Sequence, residues 1–209
     1  MKTLAPWPGR GLYAITDGAR PDLLEVVAQA LAGGARLLQY RDETTDILRR
    51  HAEAMAIRQL CETHGVPLII EADVALARAV GADGVHLIGI DDDVRAARAE
   101  LGEHAIIGMS CRDSLQYAQT AVRAGASYIS FGAFFASPTK PLAPRAPIDL
   151  LRQSTAFGVP RVAIGGITPD NGACLVEAGA DYVAAISALF GATDVRAAAQ
   201  RLANLYSID

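Results

Sequence analysis

The chain has 209 residues, 51% of them hydrophobic and 20% charged, with a formal net charge of −4. This balance fits a globule with a large core and speaks against nucleic acid as the main partner, because tracking phosphates requires a basic face. Three cysteines without a CxxC spacing and an amino-terminal stretch without an apolar run point to a cytoplasmic protein with reduced, buried thiols at Cys61, Cys111 and Cys174; no signal peptide and no membrane partner are expected.

In chain order, apolar runs at 12–16 (LYAIT), 37–41 (LLQYR), 67–71 (PLIIE), 84–87 (GVHL), 105–110 (AIIGMS), 128–132 (YISFG), 161–165 (RVAIG) and 182–186 (YVAAI) predict eight strands. Each is followed by a segment with helical spacing: 23–32, 45–63, 74–80, 93–101, 114–124, 148–156, 169–178 and 195–206, with a further short helix, SALF, directly after the eighth strand. A joint recurs four times, at Gly34-Ala35, Gly81-Ala82, Gly125-Ala126 and Gly179-Ala180. Each glycine is suited to end a helix in the left-handed conformation before a strand begins. Continuous apolar strands alternating with helices indicate a parallel sheet covered on its outer face. Eight such units in a chain of this length predict one (β/α)8 TIM barrel, with no second domain and a core from about residue 11 to residue 205.

In such a barrel the chemistry lies on loops that follow the strands. That rule sets aside Asp83 and Asp181, which precede strands, as structural. It selects Gln39, Arg41, Asp42 and Glu43 after the second strand, Glu71 and Asp73 after the third, Asp91, Asp92 and Asp93 after the fourth, and Ser110 at the end of the fifth. After the sixth strand comes Ser137-Pro138-Thr139-Lys140, whose two hydroxyls and ammonium suit a phosphate or diphosphate. After the seventh, Gly165 and Gly166 bare backbone amides, and Thr168 is placed to cap a helix beginning near Pro169. With Ile186 and Ser187 after the eighth strand, these glycines predict a phosphate cup.

The stretches GLYAITD, QYRDE, ADGVHL, IIGMS, FGAFFASPTK, AIGGITPDN and ADYVAAISAL, in this order from about Gly11 to Leu205, resemble the thiamine phosphate synthase and TenI family. The resemblance implies an enzyme of thiamine biosynthesis, a transferase that joins hydroxymethylpyrimidine diphosphate to a thiazole phosphate and releases diphosphate with the aid of Mg2+. It implies small phosphate esters as partners and leaves a homodimer open. It implies that Gln39 and Arg41 face the pyrimidine diphosphate, that Ser110, Ser137, Thr139 and Lys140 hold the departing diphosphate, and that Gly165, Gly166, Ile186 and Ser187 hold the thiazole phosphate. Ser110 and Lys140 are the catalytic candidates. Asp91 matches a metal-binding aspartate, with Glu71 as a substitute second ligand.

Three positions depart from the synthase pattern: Glu43 stands where lysine is usual, and Glu71-Ala72 where Asn-Asp is usual. The run before Asp91 also differs, reading His86-Leu87-Ile88-Gly89. The three replacements add a net −2 to a pocket meant for a polyanion. A unit charge at about 6 Å is worth roughly 3 kcal/mol at an effective dielectric near 20. Two alternatives to the synthase follow, a TenI-like thiazole phosphate tautomerase and a non-catalytic binder of thiamine precursors without its metal. Against the tautomerase, Arg112 occupies the place of the histidine such enzymes carry. His51, His64, His86 and His104 read as structural or surface residues, and no HExxH spacing occurs.

Overall fold

The computed structural model describes residues 8–89, 93–136 and 145–207. Its strands are β1 (Gly11–Ile15), β2 (Ala35–Tyr40), β3 (Leu68–Glu71), β4 (Gly84–Leu87), β5 (Ile106–Ser110), β6 (Tyr128–Phe131), β7 (Arg161–Ile164) and β8 (Tyr182–Ala185). They are parallel and close into a barrel in sequence order, with β8 pairing β1. The crossovers carry α1 (Leu23–Ala32), α2 (Ile47–His64), α3 (Val74–Val80), α4 (Val94–Leu101), α5 (Leu115–Arg123), α6 (Asp149–Gln153) and α7 (Ala173–Glu177); α8 (Ser187–Phe190) and α9 (Val195–Ala203) follow β8. The single (β/α)8 barrel expected from the alternating pattern is therefore the observed fold. No helix among the described residues is long and apolar enough to cross a membrane.

Two apolar compartments result from the strand period of two. The larger lies between sheet and helices and takes in Leu12, Leu38, Ile70, Val85, Ile107, Ile129 and Val183. The smaller fills the barrel with Tyr13, Ile15, Leu37, Ile69, Tyr128, Val162, Tyr182 and Ala184. Gly108 makes the inner packing feasible, since a β-carbon there would fall 2.0 Å from Cζ of Tyr128. The tyrosine ring fills the volume that a side chain on β5 would take.

The four joint glycines, Gly34, Gly81, Gly125 and Gly179, all have positive φ, as the repeated phrase predicts. At three of these joints the residue two places further on ties the amino end of the preceding strand. Asp83 Oδ2 accepts from the Leu68 amide at 2.9 Å, Ser127 Oγ from the Ile107 amide at 3.0 Å, and Asp181 Oδ2 from the Arg161 amide at 2.9 Å. Asp83 and Asp181 thus lie at the end opposite the strand-terminal loops and serve the barrel's closure. Cys61 and Cys111 are buried and Cys174 is partly so, all as free thiols.

Some boundaries shift for identifiable reasons. α2 begins at Ile47 rather than 45, because Asp46 is its N-cap and accepts the Arg49 amide at 3.0 Å. The segment at 148–156 is helical only to Gln153 and then tightens into a 3-10 turn over Ser154–Phe157, where Ser154 Oγ donates to the Leu150 carbonyl at 2.7 Å. The helix expected from Pro169 starts at Ala173. Asn171 is the cause: its side-chain oxygen accepts the Thr168 amide at 2.8 Å and its nitrogen donates to the Gly166 carbonyl at 3.0 Å, so these residues form a turn and Thr168 caps nothing.

Candidate active site

At the carboxyl end of the barrel the loops after β2 and β3 meet. Gln39, at 2% exposure, points into the barrel, and its Nε2 donates to Glu71 Oε1 at 3.2 Å. The other carboxylate oxygen of Glu71 lies 3.4 Å from Arg41 Nε. Arg41 Nη2 in turn pairs with Glu43. Thr16 locks the Arg41 backbone in place: its hydroxyl accepts the Arg41 amide at 2.8 Å and donates to the Arg41 carbonyl at 2.9 Å, extending the β1–β2 pairing beyond the last ladder bond. The three post-strand residues singled out by sequence therefore form one ion-pair cluster with Glu43.

Beside them opens a cavity of about 600 Å³ whose lining includes Asp42, Glu43, Glu71, Asp73, Arg50 and Ile88. Its carboxylates are largely committed. Asp42 pairs with Arg49 at 3.1 Å, and Asp73 caps α3 through Leu76 at 2.8 Å while pairing with Arg50 at 3.0 Å. Among the described residues no group of three His, Cys, Asp or Glu side chains is placed to hold a metal. The described carboxylates thus do not fit a preformed metal centre.

On the opposite side, the loops after β6 and β7 are stitched together. The Phe134 amide donates to the Ile164 carbonyl at 3.1 Å and the Phe135 amide to the Gly165 carbonyl at 3.0 Å. Both Gly165 and Gly166 have positive φ, and a β-carbon on Gly166 would fall 2.3 Å from the Ala136 carbonyl oxygen. Outside the sheet ladder, their amides donate to no described residue. Ile186 and Ser187 lie where β8 passes into the one-turn helix α8, with Ser187 exposed. Ser110 ends β5 in register with Ser130. Asp91, Ser137, Thr139 and Lys140 lie outside the described residues.

Residues 12–189 match the family model described as thiamine monophosphate synthase. The chain belongs to that family. A relative in Chromobacterium violaceum named thiamine-phosphate synthase is 50% identical over 198 residues, covering 94% of this chain and 96% of the relative. A protein of the same name in Azoarcus sp. is 53% identical over 188 residues, 88% of this chain and 91% of its own. Among solved structures, a thiamine phosphate pyrophosphorylase from Pyrococcus furiosus superposes with a TM-score of 0.82 at 34% identity, covering 93% of this chain and 94% of that one. At this level of identity the chain is an ordinary member of the thiamine monophosphate synthase family. Its departures at Glu43, Glu71 and Ala72 are local.

This family barrel also contains polar residues that the reading by loops missed. Gln39 Oε1 accepts from the Tyr13 hydroxyl at 2.9 Å; Tyr13 and Tyr128 share a 2.8 Å bond; Tyr128 meets His86 Nδ1 at 2.9 Å; Ser130 Oγ stands 3.5 Å from His86 Nε2. All are interior strand positions, so the available signal was a polar residue at an inward-facing place in an apolar strand. The sense of the chain follows from its end. The Glu71 carboxylate only accepts, which turns the Gln39 amide nitrogen toward it. Tyr13 must then donate to Gln39, Tyr128 to Tyr13, and His86 Nδ1–H to Tyr128. A second missed residue is Arg20, which joins Asp17 at 3.1 Å, Asp22 at 2.6 Å and the Phe190 carbonyl at 2.7 Å, tying the loop after β1 to α8.

Burial drives the His86 pKa down from 6.5 to about 4 and raises both Tyr13 and Tyr128, so all three are neutral at physiological pH. Between pH 6.5 and 4 the unfolded chain binds a proton at this histidine and the folded chain does not, so stability falls with pH across that window and levels off below 4. Going from pH 7 to pH 5, the wild type is expected to lose about 2 kcal/mol more unfolding free energy than His86→Gln. Urea titrations at the two pH values measure this; parallel pH profiles would contradict a neutral buried His86.

Proposed function

We propose that this chain makes thiamine phosphate from hydroxymethylpyrimidine diphosphate and a thiazole phosphate. The bond from the pyrimidine methylene to diphosphate oxygen breaks, the electron pair leaving with diphosphate, and the thiazole nitrogen bonds to the methylene carbon. The observation that carries this reading is the near full-length match to relatives named thiamine-phosphate synthase, 50% identical across 94% of the chain.

In this reading Gln39, its amide held between Tyr13 and Glu71, meets the pyrimidine, and Arg41 meets its diphosphate. Ser110, Ser137, Thr139 and Lys140 donate to the oxygens on which negative charge grows as diphosphate departs, where a placed donor does most for the rate. Gly165, Gly166, Ile186 and Ser187 seat the thiazole phosphate on backbone amides. Asp91 would hold a magnesium ion, whose charge would offset that of the departing diphosphate. Glu71, which already accepts from Gln39 and pairs with Arg41, would be the ion's second ligand. The replacement of the tautomerase histidine by Arg112 argues against the thiazole isomerase.

Purified protein supplied with both substrates and Mg2+ should form thiamine phosphate and release one diphosphate per turnover. Absence of product, with thiazole phosphate still binding, would sink the reading.

A further inference from the structure

We infer that Arg112 is a further binding residue for the departing diphosphate, supplying an unpaired guanidinium at the rim of the site beside Ser110. The inference rests on the synthase reading above and adds to it a contact and its chemistry. Four observations carry it.

First, Arg112 follows β5 two residues after Ser110, at the end of the barrel where the site lies. Second, it has φ +54, one of only two positive-φ residues other than glycine among the described residues. That conformation is unfavourable for an L-residue with a β-carbon, and such outliers persist where surrounding bonds over-determine them. Here the Cys111 amide donates to the Ser130 carbonyl at 2.8 Å, the Ser114 amide to the Cys111 carbonyl at 3.0 Å, and the Gly132 amide to the Arg112 carbonyl at 2.9 Å. The last of these fixes Arg112 to the start of the loop after β6, which leads toward Ser137 and Lys140.

Third, the side chain is exposed and makes no hydrogen bond or ion pair with any described residue. Four arginines at the same end of the barrel are by contrast held in ion pairs: Arg20 by Asp17 and Asp22, Arg41 by Glu43 and Glu71, Arg49 by Asp42, and Arg50 by Asp73. Fourth, the cavity between the loops after β2 and β3 carries four carboxylates, so the arginines beside it, Arg41 and Arg50, are already paired. An unpaired guanidinium can take two phosphate oxygens in its fork without first breaking an ion pair.

The test uses inorganic diphosphate as the probe, with and without Mg2+, on the wild type and on Arg112→Ala, Arg112→Lys and Arg112→Gly. Calorimetric affinity for diphosphate should fall about 10- to 100-fold in the alanine and glycine variants, and lysine should restore part of it. Thiazole phosphate affinity should stay within twofold, which also certifies the fold. Arg112→Gly should unfold at a urea midpoint at or above that of the wild type, since it relieves the left-handed backbone while removing the contact. Where turnover is measurable, the Michaelis constant for the pyrimidine diphosphate should rise in the same ratio as the diphosphate dissociation constant. Because binding needs no turnover, the two readings separate. Diphosphate affinity within twofold of wild type in Arg112→Ala overturns the assignment even if thiamine phosphate is formed. A clear loss supports it even if none is.

Discussion

Gly166→Ala is expected to lower thiamine phosphate formation by about a hundredfold or more and to destabilise the fold by about 2–4 kcal/mol. Two costs add. The residue has φ +63, where an alanine is strained by about 1 kcal/mol or more. Its β-carbon would also stand 2.3 Å from the Ala136 carbonyl oxygen and 2.8 Å from that of Phe135. Those are backbone atoms, so the loops after β6 and β7 must part, and both anion sites proposed above lose their geometry together. Gly158→Ala isolates the first cost, because Gly158 also has positive φ, +73, yet its β-carbon would meet nothing within 4 Å. That variant should lose about 1 kcal/mol and keep its activity. Equal effects of the two substitutions on the rate would refute the stitching of the loops as the cause.

The second large effect belongs to Glu71. Glu71→Ala removes at one stroke the acceptor for Gln39 Nε2 and the partner of Arg41 Nε, leaving a buried amide without its acceptor and a guanidinium held by Glu43 alone. A loss of about a hundredfold in kcat/KM for the pyrimidine diphosphate is expected, with the thiazole phosphate little affected. The triple replacement Glu43→Lys, Glu71→Asn and Ala72→Asp works differently: it raises the local formal charge by two units and frees Arg41 from both glutamates. Ala72 sits at φ +56, in a tight turn closed by the Asp73 amide on the Glu71 carbonyl at 2.7 Å, and aspartate tolerates that backbone better than alanine does. The triple variant should therefore exceed the wild type by about tenfold or more, one tenfold step corresponding to about 1.4 kcal/mol of transition-state stabilisation. If Glu71→Ala alone stays within threefold of wild type, Glu71 is a bystander and the network described here does not position the substrate.

The strands and several helices could be read from the chain because their ends carry local chemistry. α3 lies at 74–80 as expected, since Asp73 caps one end and left-handed Gly81 the other. α1 at 23–32 and β4 at 84–87 also lie where expected, but from their apolar spacing, since Asp22 makes no side-chain cap bond and Gly33 is right-handed. The helix after β7 was misplaced because its start depends on a side chain folding back: Asn171 reaches both Thr168 and Gly166, and nothing in the spacing announces that. For the site, Gln39, Arg41 and Glu71 were found through their positions after strands. Tyr13, His86, Tyr128 and Ser130 were not, because they come from three separate strands, β1, β4 and β6, and meet only when β8 closes on β1. Their partnership is a property of the barrel's register, which no single segment encodes.

The hydrogen-bonded row from Ser130 to Glu71 has a head and a tail, and this makes the barrel interior a one-way wire for polarity. Five groups face the same way because a single anion at the rim orders them, so the ring tautomer of His86 on one wall is dictated by a carboxylate on another. A change of charge at the mouth, as a substrate arrives or leaves, would be registered across the full width of the barrel by a flip of the Gln39 amide, rotation of two tyrosine hydroxyls and a change of the His86 tautomer, with every strand standing still.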